Sequence, residues 1–441
     1  MRIAAPANLL FNPNFYCMYN YVRKHWLVPV LLCIGMYSHA QTDTLSLPLR
    51  EAEKRFIDSN LLLLAAHYEV DASKALADQA KVWDNPILTT DQNVFADGKF
   101  FEHRKDANGN IRGQYFIQVE QLIKTAGKRG KLMDMANTNT KISELQLQDV
   151  MRNLLFQLRQ DYYTQWQLLQ TKAINQQQLQ QLTGLQAAQK TQWQAGNIAE
   201  KDYLRIQAEV LSLQQDIVDV DRNISDIQKE LKLLLHLPLG SFVKPVDMPV
   251  QTAATLPLDD ILSSARQNNP YYLLQQTNEL YQQQNLSYQK ALRTPDITLT
   301  SAYDRNSNYA PNYVGLGFSV PLPLFNKNKG NIKAAEYAVK QQQATTGYAA
   351  AALEQDVYAA YQKWSLTVSQ DNETFKNFTA RYNTMLANMV NSYNNRQIGL
   401  LEFLDFFDAY KQSQQRNLQL QLNTALAKAE VNYCAGKDIL P

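Results

Sequence analysis

Tyr313-Val-Gly-Leu-Gly-Phe-Ser-Val-Pro-Leu322 alternates large apolar residues with small ones at a period of two. Val314, Leu316, Phe318, Val320 and Leu322 share one side, and Gly315, Gly317, Ser319 and Pro321 the other. That period is the signature of a strand with two unlike faces. Three weaker segments of the same kind run over Ile87–Phe95, Gln114–Leu122 and Ile297–Tyr303, with an exposed polar loop expected over Asp97–Gly113. Most of the remaining chain reads as helix.

Four strands cannot close a barrel, because the smallest bacterial outer-membrane barrels have about eight and an open sheet edge is not tolerated in lipid. Several chains must pool their strands. Two copies would give eight, a number that side chains fill, whereas three would give twelve and room for a lumen. The alternative reading is a soluble coiled-coil scaffold or adaptor without a pore, since soluble hairpins also alternate.

The helices are long. Proline 86 ends a first helical pattern over about 48–83, and from Gly127 and Gly130 a second continues to about Ala195, roughly 100 Å at 1.5 Å per residue. Its glutamine-rich surface has no place in a hydrocarbon core of about 30 Å. After Gly196-Asn197 a returning helix carries Val210, Leu213, Ile217, Val220, Ile224, Ile227, Leu231 and Leu234, a coiled-coil seam. The order then repeats: Leu47-Pro48-Leu49, Asn60 and Pro86 match Leu256-Pro257-Leu258, Asn269 and Pro295 at one spacing. The expected organisation is a leader over 1–40, a first repeat over 41–237, a connector over 238–255 and a second repeat over 256–441. Two short helices end to end match one long helix, so each repeat can form a rod two helices wide.

Arg23, Lys24 and His25 precede the apolar run from Trp26 to Met36, and Ser38-His39-Ala40 offers a cleavage site before Gln41, which together read as an export signal. Met18 is an alternative start. Leu31 and Leu32 before Cys33 argue against a lipoprotein signal. Without 1–40 the chain has 40 basic residues (43 less Arg2, Arg23 and Lys24) against 41 acidic, which points away from nucleic acid. Only Cys434 then remains, so no intrachain disulfide is available and stability must come from helix packing and oligomerisation. His67, His103 and His236 lie far apart, and no phosphate loop, nucleophile elbow or metal-ligand spacing occurs. No enzyme activity, cofactor or metal site is expected.

The most informative break between helices is Tyr393-Asn-Asn-Arg-Gln-Ile-Gly-Leu-Leu-Glu-Phe-Leu-Asp405, matched 200 residues earlier by Trp193, Ile198, Asp202, Tyr203 and Leu204. Together with Leu-Pro-Leu-Arg-Glu-Ala at 47–52, Asn85-Pro86, Val-Pro-Leu-Pro-Leu-Phe at 320–325 and Ala195-Gly196-Asn197-Ile198, this order of motifs resembles the TolC-like outer-membrane efflux family over nearly the whole mature chain. The resemblance implies a mostly α chain with a membrane β-barrel. It also implies a homotrimer with a twelve-stranded barrel in the outer membrane, a tunnel of twelve helices in the periplasm, and docking to a periplasmic adaptor and an inner-membrane pump. It places two carboxylates that ring the periplasmic entrance on Glu402 and Asp405, and a tip-closing pair on Tyr393 and Asp202. Ile398 stands where the family often has a basic partner, with Arg396 as its substitute. The i, i+3 spacing puts Glu402 and Asp405 on one helix face.

Overall fold

The computed structural model describes residues 43–96, 98–100, 107–109, 113–246, 256–307, 309–370, 385, 388–393 and 395–440. The expected leader and most of the loop after Ala96 lie outside them. In the first repeat the elements are β1 (Asp43–Leu47), α1 (Leu49–Ser59), α2 (Leu61–Gln79), β2 (Ile87–Gln92), the short pair β3 (Phe95–Ala96) and β4 (Lys99–Phe100), β5 (Tyr115–Ile123), α3 (Lys128–Gln194) and α4 (Glu200–Leu234). Then come β6 (Ser241–Pro245), α5 (Leu258–Asn268), α6 (Pro270–Ala291), β7 (Ile297–Asn306), β8 (Pro311–Ser319), α7 (Lys329–Gln370) and α8 (Leu400–Ala435), with a helical segment at 388–393 before the last turn.

The helix expected over 48–83 is two helices. Asn60 is extended (φ −70°, ψ 123°), and its side-chain oxygen accepts from the Leu63 N–H at 3.0 Å, capping α2. Its Nδ2 donates to the Leu234 carbonyl at 2.9 Å, in the last turn of α4. Asn269 repeats this between α5 and α6: it accepts from the Tyr272 N–H at 3.1 Å and donates to the Cys434 carbonyl at 3.2 Å. One amide thus satisfies an orphan donor on one helix and an orphan acceptor on another. The short helix and the returning helix meet end to end at this point. Around the first junction, Ala52, Phe56, Leu63, Leu158, Tyr162, Leu231 and Leu235 form an apolar core; around the second, Ile261, Ala265, Val357, Ala360, Trp364, Val431 and Ala435 do the same.

The long helix α3 has 67 residues and ends where Gly196 takes a left-handed φ of 74°. The seam of α4 packs as its spacing requires: Val210, Leu213, Ile224, Leu231 and Leu234 are buried. Its Gln228 is also buried and closes two bonds on Val243, accepting its N–H at 2.9 Å and donating to its carbonyl at 2.7 Å. Val243 belongs to β6, which pairs in parallel with β1. The connector therefore carries a strand that local patterning did not reveal, because its partner lies 198 positions away (Ser241 against Asp43).

β2, β5, β7 and β8 form one antiparallel sheet in that order. Its register assigns the faces. Opposed residues share a face, so Val314, Leu316 and Phe318 align with Tyr303, Ser301 and Leu299, then with Ile117, Val119 and Gln121, and with Thr90 and Leu88. Leu316 is 87% exposed and Phe318 76%. The opposite face carries Gly315, Gly317, Thr298, Thr300, Gln118, Glu120 and Thr89, together with Ile87, Phe116 and Leu122, with Gln118 donating to Glu120. The first side is the more apolar and exposes Leu88, Val119, Leu299, Val314, Leu316 and Phe318, the second is richer in polar residues, and β2 and β8 are the outer strands among the described residues.

Replacing Asn60 by Ala removes the cap and leaves the Leu234 carbonyl unpaired, an expected loss of about 1–2 kcal/mol. Asn60→Asp keeps the acceptor alone and should lose less. Thermal melts in detergent check the order wild type, Asp, Ala; equal melting temperatures would remove the junction from the account.

Candidate functional site

The helix turn between 393 and 400 and its counterpart between 193 and 200 are built alike. Gly196 N–H bonds the Trp193 carbonyl and Asn197 N–H the Gln192 carbonyl, both at 2.9 Å; Arg396 N–H bonds the Tyr393 carbonyl at 2.9 Å and Gln397 N–H the Ser392 carbonyl at 2.8 Å. Trp193 stacks on Tyr203 and Tyr393 on Phe403, each with ring centres 5.1 Å apart. In the left-handed position the first turn has Gly196 and the second has Arg396, at φ 58°. A side chain there costs on the order of 1 kcal/mol relative to glycine. Arg396 is exposed and makes no ion pair among the described residues. The structure gives it the strained apex of the turn.

The two turns share one core. Leu182 and Leu185 of α3, Ile206, Val210 and Leu213 of α4, and Phe403 and Phe407 of α8 are buried together, with Tyr393 and Ile398 packed on them. This brings Tyr393 to Asp202: burial first, and then the negative charge of Asp202, raise the Tyr393 hydroxyl pKa above its ordinary value. Glu402 and Asp405 stand on the first turns of α8, exposed and on the side away from Phe403 and Phe407.

Sequence reasoning missed a charged contact one turn further up. Lys411 of α8 reaches Asp216 of α4 at 2.7 Å and lies 4.0 Å from Glu209. Burial, then Asp408, and in smaller part Asp216, raise the Glu209 carboxyl pKa, while Lys411 opposes the rise. The repeat carried a signal: counting 200 positions, Lys411 faces Leu211 in the alignment, Asp216 faces Arg416 and Glu209 faces Ala409. Charges that break a repeat are candidates for contacts between the repeats. Higher still, α3 buries Gln165, Asn175 and Gln178, whose amide atoms have no hydrogen-bond partner among the described residues. Their glutamine-rich setting reads as solvated surface, yet these three lie in the helix interface. Unpaired buried amides weaken it.

Arg396→Gly should stabilise the protein by about 0.5–1 kcal/mol if the residue serves only the turn; a lower melting temperature would instead reveal a contact made by the guanidinium. A raised carboxyl pKa means the folded contact binds the Glu209 proton more tightly than the open form. The contact therefore strengthens as pH falls through the raised value towards the ordinary one, and is weakest above both. Hydrogen-exchange protection of residues 200–216 and 400–414, corrected for intrinsic rates, should rise between neutral pH and about 5. Glu209→Gln should abolish the rise, and an equal rise in that variant would assign it elsewhere.

Comparison with known proteins fits this geometry. The profile of the outer membrane efflux protein family matches residues 54–235. The cobalt-zinc-cadmium resistance protein CzcC of Cupriavidus metallidurans is 21% identical over 285 residues, and the chain spans 63% of that relative's length, as the match spans 63% of the chain. Among solved structures, CusC superposes with a TM-score of 0.71 at 16% identity, over 89% of this chain and 93% of its own. The outer-membrane channel OprN gives 0.73 at 14%, over 88% and 89%, and VceC of Vibrio cholerae 0.70 at 12%, over 88% and 96%. The profile covers the first repeat, and the fold shared with CusC, OprN and VceC covers both.

Proposed function

We propose that three copies of this chain form an exit duct in the outer membrane, continued by a helical tunnel through the periplasm, which receives cargo from a periplasmic adaptor and an inner-membrane pump. The two-faced sheet carries this reading. An apolar face that bare would be a liability in water, whereas lipid covers it at no such cost. Its unpaired edges, β2 and β8, match the need for neighbours on both sides, and three sheets of four strands make twelve. No helix among the described residues is long and apolar enough to cross a membrane. The solved relatives OprN and CmeC are outer-membrane channels, and CusC structures concern transmembrane channel formation. The matched family is named for efflux and the solved neighbours are channels, which supports passage of cargo without chemistry on it.

In this assembly Glu402 and Asp405 form two stacked acidic rings at the periplasmic entrance. The first repeat offers Asp202 against Glu402 but Arg205 against Asp405, so only the second turn supplies both carboxylates. Cations are then favoured at the mouth. The name of CzcC, a resistance protein for cobalt, zinc and cadmium, supports metal cations as cargo over larger solutes. The Lys411–Asp216 pair ties α4 to α8 near the entrance, so an opening that separates these helices must part it.

Purified protein in detergent should be a trimer that conducts ions in planar bilayers, and a water-soluble monomer would sink the duct. Glu402→Gln with Asp405→Asn should lower cation selectivity and relieve block by multivalent cations. Unchanged single-channel records would leave the duct but remove the acidic rings.

A further inference from the structure

The segment that follows β5 shows how a strand exit is held at the foot of the sheet. Thr125 donates its N–H to Asp296 Oδ1 at 2.8 Å and its hydroxyl to the Pro295 carbonyl at 2.6 Å. Lys128 gives Nζ to the Thr294 carbonyl at 2.5 Å and to Asp296 Oδ1 at 2.7 Å, with only 4% of its side chain exposed. This strap of the first repeat is clamped to the α6–β7 junction of the second, because β5 and β7 are neighbours in the sheet.

The second repeat has a longer strap after β8, residues 320–328 against 124–127, which enters its helix in the same way. Gly127 and Asn328 are both left-handed, at φ 66° and 54°, and each accepts the first helical bond, from Lys131 and Ile332 respectively, at 3.0 Å. Counted from the helix start, Lys329 matches Lys128 and Asn326 matches Thr125. The repeat spacing of the junctions makes Asn85-Pro86 the counterpart of Thr294-Pro295. Yet β8 is the edge of the sheet among the described residues, so its strap has no further junction there to hold; Asn328 Nδ2 instead donates back to the Gln289 carbonyl of α6 at 2.8 Å. Leu322, Leu324 and Phe325 are exposed, Phe325 completely (100%). At the other edge Trp83 and Ile87 are exposed beside Asn85, with Arg129 of α3 over the Trp83 ring at 4.4 Å and Lys124 on Asp84 at 3.1 Å.

We infer that the strap at 321–329 docks on the α2–β2 junction, residues 83–87, of a second copy of this chain, with Lys329 Nζ on the Asn85 carbonyl. The inference rests on the barrel reading and goes beyond it by naming the contact that joins the copies below the strands. Antiparallel pairing of β8 with a neighbour's β2 brings the two together. Ser319 lies opposite Thr298, and Ile87 lies opposite Glu120, which faces Thr300, so both edges reach the same rim. The clamp differs from its template in that Ile87 replaces the carboxylate of Asp296, Asn326 replaces Thr125, and the strap is longer. Apolar contact of Leu322, Leu324 and Phe325 with Ile87 and Trp83 takes over from that ion pair. Because the strap and the junction are different surfaces, the contact runs head to tail and closes a ring.

Paired cysteines in the full chain test it. Asn326→Cys with Ile87→Cys, oxidised in detergent, should give a dimer and trimer ladder on a denaturing gel that reductant collapses; neither single variant should. Trp83→Cys with Phe325→Cys, run in parallel, guards against a pair that fails to assemble. Thr125→Cys with Asp296→Cys should close within one chain and calibrates the geometry. A trimer by light scattering that gives no ladder from either pair, while the calibrating bond forms, overturns the strap contact and leaves the duct standing. A monomer by light scattering overturns both.

Discussion

One side-chain amide at the end of a short helix lets this molecule be a rod. Asn60 breaks the chain between α1 and α2, caps the second, and bonds a terminal carbonyl of α4; Asn269 does the same for α5, α6 and α8. A continuous helix over 48–83 would leave α4 to end against nothing. With the break, the short and returning helices abut and together run the length of the long one, which gives every part of α3 and α7 a partner. The join is tight. Gly436 ends α8 at φ 76°, and a Cβ there would lie 2.4 Å from the Asn268 carbonyl oxygen. Its counterpart His236 ends α4 in the same left-handed region, at φ 49°. That backbone role accounts for a histidine that forms no part of any site.

The rod in turn orders the two ends. At one end the strands emerge side by side as β2, β5, β7 and β8, tied at the foot by the buried Lys128–Asp296 pair between the repeats. At the other end both helix turns share an apolar core, so that a tyrosine of one repeat feels a carboxylate of the other. Between the ends, α3 passes from an apolar junction through Gln165, Asn175 and Gln178 to the apolar tip. Buried amides thus share this middle stretch with the buried Trp166 and Leu168.

Duplication explains most of the fold, and departures from it mark where the two copies do different work. The turns superimpose bond for bond, yet Gly196 becomes Arg396 and Arg205 becomes Asp405. The straps enter their helices alike, yet the shorter is clamped to the next junction of the chain and the longer, bonded to Gln289, stands at the sheet's edge. Internal pairing and exposed edge are the same geometry, seen once inside the chain and once at its boundary.

Periodicity alone determined the helices, the four long strands and the repeat, because each depends on side chains a few positions apart. It showed the place of Asn60 by its match to Asn269, though not that both residues break a helix. What only the tertiary structure decided are contacts between residues far apart in the chain. The β1–β6 pair, the Gln228 bonds to Val243 and the Lys411–Asp216 bridge all join segments whose local patterns are unremarkable alone. The roles of single residues in the turn divided in the same way. Tyr393 and Asp202 are near one another because two hairpins pack on one core, whereas Arg396 is governed by a backbone dihedral that no spacing of charges discloses.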